Sequence, residues 1–224
     1  MEIRWFGQSF FEVTTSTKAK KEIRIFFDPY DPKIGIEPPT DLEADIVFTS
    51  HRHHDHNNTG LFKEIDLLIK NAGEYSVKGL DIKGIASFHD NNGGKDKGAN
   101  VIYTLEAEKI KLVHLGDLGH LLTDEQLKKI DGVDILFLPV GGPSSISGKE
   151  AVRVAKQIEP KIIIPMHYKI PGINFEMKEL EDFLKEMGVG EIEPVRKLSL
   201  KLSLIENKEM EVVIMERIDR KSVV

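Results

Sequence analysis

The stretch Ser50-His51-Arg52-His53-His54-Asp55-His56 gathers four of the chain's 8 histidines, and an aspartate, into six consecutive positions. It follows Ala44-Asp45-Ile46-Val47-Phe48-Thr49, an apolar run that reads as a buried strand. In extended or loop backbone, successive side chains point to opposite sides, so His51, His53 and Asp55 face one way. His56, next to Asp55, then reaches a second ion, whereas His54 falls on the other parity and reads as a spectator. Imidazole nitrogen combined with carboxylate oxygen favours a divalent transition metal over calcium or magnesium. The run is internal, unlike an affinity tag, so a metal-binding loop shared by two ions is the expected chemistry.

Composition supports that reading by exclusion. The 224 residues include no cysteine, so disulfides and thiolate ligands are absent and His, Asp or Glu must hold any metal. Hydrophobic content of 40% and charged content of 30% fit an ordinary globular protein, expected as one domain over residues 1–224. A net charge of -6 argues against nucleic acid as the main partner, because phosphate neutralisation needs a basic surface. A small-molecule substrate is expected instead; the sequence assigns no oligomeric state. No apolar run is long enough to span a bilayer, and Met1-Glu2-Ile3-Arg4-Trp5 is too polar for a signal peptide, so a cytoplasmic location is expected.

Along the chain, residues 2–27 read as two or three strands joined by a hairpin around Thr14 to Lys21 and ending at Asp28-Pro29. The proline-rich segment from Asp28 to Asp41 should be irregular. Beyond the histidines the pattern predicts a short helix near Thr59 to Glu64, a strand at Leu67 to Lys70, and further strands up to Phe88. Strands are predicted at Val101 to Leu105, Ile110 to Leu115, Asp134 to Leu138 and Lys161 to Ile164. Capping boxes at Thr123 with Gln126 and at Ser147 with Glu150 predict two helix starts, the second presenting Ala151, Val152, Ala155 and Ile158 on one face. A third helix is predicted from about Phe175 to Met187. The alternation of Leu198, Leu200, Leu202 and Leu204 predicts a C-terminal hairpin. Strands in both halves with helices between them predict sheet packed on sheet, helices outside: an α+β, four-layer αββα sandwich.

Sites in such sheets form beyond the carboxyl ends of strands. Three polar residues directly follow apolar strands: His89, Asp117 and His167. With Asp28 and the opening run, their order resembles the metallo-β-lactamase superfamily, whose motifs run Asp, His-x-His-x-Asp-His, His, Asp, His. The match covers about three-quarters of the chain. Gly7-Gln8-Ser9, Asp28-Pro29, Gly116-Asp117, Leu138-Pro139-Val140-Gly141-Gly142 and Pro165-Met166-His167-Tyr168 are similar to the branch that includes ascorbate-6-phosphate lactonase.

The resemblance implies one ion on His51, His53 and His89, a second on Asp55, His56 and His167, and Asp117 bridging them. Zinc is the first choice of metal, with manganese or iron as alternatives. Asp28 is implied to hold a ligand histidine in its tautomer. Gln8 departs from the histidine frequent in this branch. His120 is a candidate proton donor or substrate contact. His114 inside a strand reads as a core histidine, and the turn at Gly141-Gly142-Pro143-Ser144-Ser145 as a plain tight turn, with backbone N–H groups cradling an anion as the alternative. Tyr168 and Lys169 are further candidates for the pocket.

The implied activity is hydrolysis of a small, anionic substrate, at a lactone or other ester-like bond. Two ions hold a bridging hydroxide at neutral pH and Asp55 orients the attacking water. A small-molecule phosphodiesterase is the alternative. Di-iron redox chemistry is disfavoured, because flavodiiron relatives place Glu where this chain has His53 and carry a flavin domain that it lacks.

Overall fold

Alternating apolar and polar side chains set the first three strands, β1 (Glu2–Gly7), β2 (Phe10–Ser16) and β3 (Glu22–Phe27), paired antiparallel in sequence order. The computed structural model of the protein describes residues 1–16 and 21–219. The predicted hairpin therefore forms, while residues 17–20 of its turn lie outside the described residues. Strand β4 (Leu42–Phe48) joins β3 in parallel, with Phe27 opposite Phe48, and β5 (Phe62–Ile69) joins β4 in parallel. A two-residue strand, β12 (Leu198–Ser199), pairs with β1 at the far edge. The sheet order is β12-β1-β2-β3-β4-β5.

The second sheet holds β6 (Gly73–Val77), β7 (Leu80–Phe88), β8 (Ala99–Ala107), β9 (Ile110–His114), β10 (Ile135–Pro139), β11 (Ile162–Met166) and β13 (Glu211–Val212). Its order is β13-β11-β10-β9-β8-β7-β6. Strands β6 to β9 form an antiparallel meander, whereas β9, β10, β11 and β13 run parallel.

One core lies between the sheets, taking Ile25, Phe27, Ile46 and Phe48 from the first and Tyr103, Leu112, Ile135 and Phe137 from the second. The intervening residues Phe26 and Val47 enter a second core on the other face. Strands β3 and β4 are thus buried on both sides, which is why their apolar runs are nearly continuous. Helices α1 (Asp124–Ile130) and α2 (Gly148–Ile158) begin at the two predicted capping boxes, and both boxes are closed. Val154 joins Ala151, Val152 and Ala155 on the buried face of α2. The outer face of the first sheet is covered by Tyr30, a 3-10 turn at Pro32–Ile34, Ile36, Ile173 and Met177, so that outer layer is mostly irregular chain. The whole is an αββα sandwich of two mixed sheets with few helices. No helix among the described residues is long and apolar enough to cross a membrane.

Three expectations are corrected. Residues Thr59–Leu61 form only a 3-10 turn and β5 already begins at Phe62, because pairing with β4 overrides the local helical pattern. The third helix, α3 (Leu180–Met187), starts later than predicted, since Lys169 N–H donates to the Lys178 carbonyl and Lys178 N–H to that of Gly141. The C-terminal hairpin does not form. Leu198–Ser199 joins the first sheet, Leu202–Ile205 is helix α4, and Glu211–Val212 joins the second sheet beside β11. Leu204 is 58% exposed, so the alternation of four leucines did not mark one buried face.

Candidate metal centre

The carboxyl ends of strands deliver the site. Asp28 follows β3, the histidine loop follows β4, His89 follows β7, Asp117 lies three residues past β9, and His167 follows β11. Among the described residues, two groups could each hold a metal ion: His51, His53 and His89, and Asp55, His56, Asp117 and His167. All seven predicted ligands are thereby brought together. His51 Nε2 lies 3.1 Å from His53 Nδ1. In the second group, His56 Nε2 is 3.5 Å from Asp55 Oδ2 and 3.3 Å from Asp117 Oδ2, and His167 Nε2 is 3.4 Å and 3.2 Å from the same two oxygens. Asp117 Oδ2 also lies 3.2 Å from His89 Nε2, so a single carboxylate oxygen stands between the groups.

Asp28 fixes the ligands from behind. Its Oδ1 accepts from Ser50 N–H at 2.6 Å, and its Oδ2 accepts from Ser50 Oγ at 2.6 Å and His56 Nδ1 at 2.9 Å. Ser50 Oγ spends its proton on Asp28 and so accepts from His51 Nδ1, 2.9 Å away. Both histidines are held with Nδ1 protonated, leaving Nε2 lone pairs for the centre. One carboxylate thus orients a ligand in each group, His56 directly and His51 through Ser50. Neither Ser50 nor Asn100 was assigned a role from sequence. Asn100 Oδ1 accepts from Asp117 N–H at 3.1 Å, and its Nδ2 donates to the Leu115 carbonyl and to Ser87 Oγ. Ser50 is marked by its place before the ligand run; Asn100 carries no signal in the sequence.

Close backbone packing shapes the same region. Gly116 has φ 57°, and a Cβ there would sit 2.3 Å from Asn100 Oδ1 and 2.6 Å from Ser50 Cβ, so only glycine fits. Gln8, Asp28 and His167 have φ of 51°, 47° and 52°, left-handed values uncommon for residues with a Cβ. Such conformations cost on the order of 1–3 kcal/mol each and gather at functional sites.

The electrostatics suit a cation. Burial opposes a charge on His56, but the carboxylates of Asp117, Asp55 and Asp28 override it and hold the imidazole well above the ordinary histidine range. Burial likewise opposes ionisation of Asp55 and Asp117, and the histidines around them override it, keeping both well below the carboxylate range. Burial, seconded by His56, pushes His51 down to about 3. His56 Nε2 and Asp117 Oδ1 are buried without a hydrogen-bond partner. Converging lone pairs, two buried carboxylates and unpartnered ring nitrogens fit a divalent metal with nitrogen and oxygen ligands.

The other candidates fall outside the cluster. His54 is exposed and contributes its carbonyl to Asp31 N–H. His120 donates from Nδ1 to the Leu121 carbonyl at 2.7 Å and accepts at Nε2 from Phe88 N–H at 3.2 Å, so in this conformation it braces the end of β7 and has no nitrogen left for proton donation. His114 is a satisfied core residue: Gly116 N–H donates to its Nδ1, its Nε2 donates to the Ser9 carbonyl, and its ring stacks on Phe27 at 5.0 Å. Gln8 is fully buried and its amide has no partner among the described residues. Tyr168 packs on Trp5 at 5.3 Å, and Lys169 binds the carbonyls of Ile173 and Phe175. In the turn containing Ser144, the carbonyls of Pro143 and Ser144 both accept from Lys97 Nζ at 2.8 Å.

Comparison with known proteins agrees with the geometry. The family model described as beta-lactamase superfamily domain matches residues 2–167. A "UPF0173 metal-dependent hydrolase" of Thermococcus onnurineus is 27% identical over 217 residues, covering 84% of this chain and 92% of that protein. A relative of the same name from Staphylothermus marinus is 28% identical, covering 74% and 82%. Among solved structures, a Thermotoga maritima protein named as a Zn-dependent hydrolase of the metallo-beta-lactamase superfamily superposes with TM-score 0.75 at 37% identity, covering 96% of this chain and 98% of that one. Igni18, a metallo hydrolase from Ignicoccus hospitalis, shares the fold at TM-score 0.64 and 20% identity, covering 89% and 99%. The chain belongs to the beta-lactamase superfamily domain family and is a metal-dependent hydrolase of the metallo-β-lactamase superfamily.

Proposed function

We propose that the chain hydrolyses a lactone or other ester-like bond of a small, anionic molecule, with two divalent ions, zinc first, at its centre. His51, His53 and His89 would hold one ion; Asp55, His56 and His167 would hold the other. The observation that carries this is Asp117 Oδ2, 3.2 Å from His89 Nε2 on one side and 3.2 Å from His167 Nε2 on the other. Bound divalent ions bring the pKa of water from about 16 towards about 7 and stabilise the anion that develops on the substrate.

The chain's own residues supply orientation. Asp28 and Ser50 keep His51 and His56 in the tautomer that presents Nε2. Asp55 is only 8% exposed, and although burial opposes its ionisation, the charge of His56 beside it holds its carboxyl well below the usual carboxylate range. It therefore accepts a hydrogen bond from the attacking water and aims it rather than taking its proton. Asn100 and Gly116 fix the backbone of Asp117 between the groups.

The test is turnover of lactone, thioester and phosphodiester panels by protein loaded separately with zinc, manganese and iron. Lactone or ester turnover that disappears in Asp117→Ala is expected. Turnover confined to phosphodiesters would replace this reading with the phosphodiesterase one.

A further inference from the structure

Two adjoining cavities, of about 630 and 600 Å³, open beside the histidine loop and share His51, Arg52, Lys70 and Asn71 in their walls. No aspartate or glutamate lines either one, although the chain carries 37 acidic residues against 31 basic. Arg52 and Lys70 are exposed, and among the described residues neither makes an ion pair. Lys97 adds a third positive charge to the second cavity while its ammonium binds two carbonyls.

The backbone that carries both cations belongs to the framework that builds the centre. Arg52 sits between His51 and His53, and its carbonyl accepts from Asn57 Nδ2 at 2.7 Å. Lys70 directly follows β5, where the Ile69 carbonyl accepts from Thr49 N–H at 3.1 Å and from Tyr103 Oη at 3.3 Å. The strand that delivers the histidines and the strand that delivers Lys70 are thus tied together at their carboxyl ends. Phe88 lines the second cavity and is 42% exposed, one of only three large apolar side chains so exposed among the described residues. Cations on strand ends anchored beside the centre, no competing carboxylate and an open aromatic face together describe a recognition surface for an anion carrying an apolar part.

We propose that the cavity walled by Arg52, Lys70 and Phe88 is the substrate's anchoring subsite, binding a phosphate or carboxylate through the two cations and an apolar group against Phe88. This rests on the reading above in placing the scissile bond at the neighbouring centre. It specifies the substrate class: a small oxyanion-bearing ester or lactone with an apolar portion.

Calorimetric titration of metal-loaded protein with phenylphosphonate, whose P–C bond resists hydrolysis, and with benzoate provides the test. The affinity of at least one of these anions should fall about tenfold or more in Arg52→Ala/Lys70→Ala, the effect of removing charge-assisted contacts. Loss of one aromatic contact in Phe88→Ala should weaken binding roughly threefold. Lys70→Ala alone lies outside the histidine loop and should show its share of the loss with metal content unchanged. The anion that loses more identifies phosphate or carboxylate as the natural group. No binding of either probe, or equal affinities in wild type and both cation variants, overturns the subsite whatever bond the enzyme cleaves. Affinity loss as expected without turnover of any lactone or ester overturns only the reading of the reaction.

Discussion

Replacing Asp28 by asparagine should weaken metal binding in both groups at once. Asparagine tolerates the left-handed conformation that Asp28 adopts at φ 47°, so the backbone is little disturbed. One oxygen still accepts from Ser50 N–H. The other becomes an amide nitrogen facing two donors, His56 Nδ1 and Ser50 Oγ. To avoid donor meeting donor, His56 must move its proton to Nε2, the nitrogen that faces Asp55 and Asp117. Ser50 Oγ must turn to accept from the amide and donate to His51 Nδ1, which puts the His51 proton on Nε2 as well. Each group therefore loses one ligand lone pair. Hydrogen bonds to charged groups are worth about 1.5–3 kcal/mol, and losing such supporting partners costs roughly 10–100-fold in metal affinity. Competition with a chromophoric chelator gives the affinities stepwise. A 10–100-fold loss in both steps is expected; a loss confined to one step, or none, would refute the claim that Asp28 supports both groups.

The remaining expectations concern protons, backbone and packing. Because His56 is held well above its ordinary range, metal-free protein carries a proton there at neutral pH that metal must displace; affinity should rise with pH above about 6.5, with proton release seen as buffer-dependent binding heat. His51, pushed down to about 3, is already neutral and should add no such dependence above about pH 5. Gly116→Ala forces a Cβ to within 2.3 Å of Asn100 Oδ1 and should cost at least about 3 kcal/mol in urea unfolding together with metal loss, whereas Gly132→Ala, with φ 72° and open space around it, should cost only about 1 kcal/mol. Phe26→Ala in the fully buried outer core should cost about 3–5 kcal/mol, and Leu204→Ala, 58% exposed, within about 0.5 kcal/mol of zero.

Legibility in the sequence followed how local each cause was. The ligand run, the apolar strand before it, and His89, Asp117 and His167 just past apolar strands were readable because each function is set by one strand end. The two helix starts were readable because a capping box lies within four residues. Asn100 was not, because its role comes from β8 meeting the loop after β9 across the second sheet. The C-terminal leucines misled for the same reason: period-two alternation is a local signal, and distant edges of two sheets decided where each short piece docked. His120 suggested a pocket residue by its closeness to Asp117 in sequence, yet both its nitrogens engage backbone.

Asp117 Oδ2 lies 3.2 Å from a histidine of each group, the position from which it would join the two proposed ions. Anomalous scattering from crystals grown with zinc tests that role most directly, recorded above and below the zinc absorption edge. Two peaks are predicted, one at His51, His53 and His89 and one at Asp55, His56 and His167, with Asp117 in contact with both. A single peak, or two peaks of which Asp117 touches only one, would contradict it.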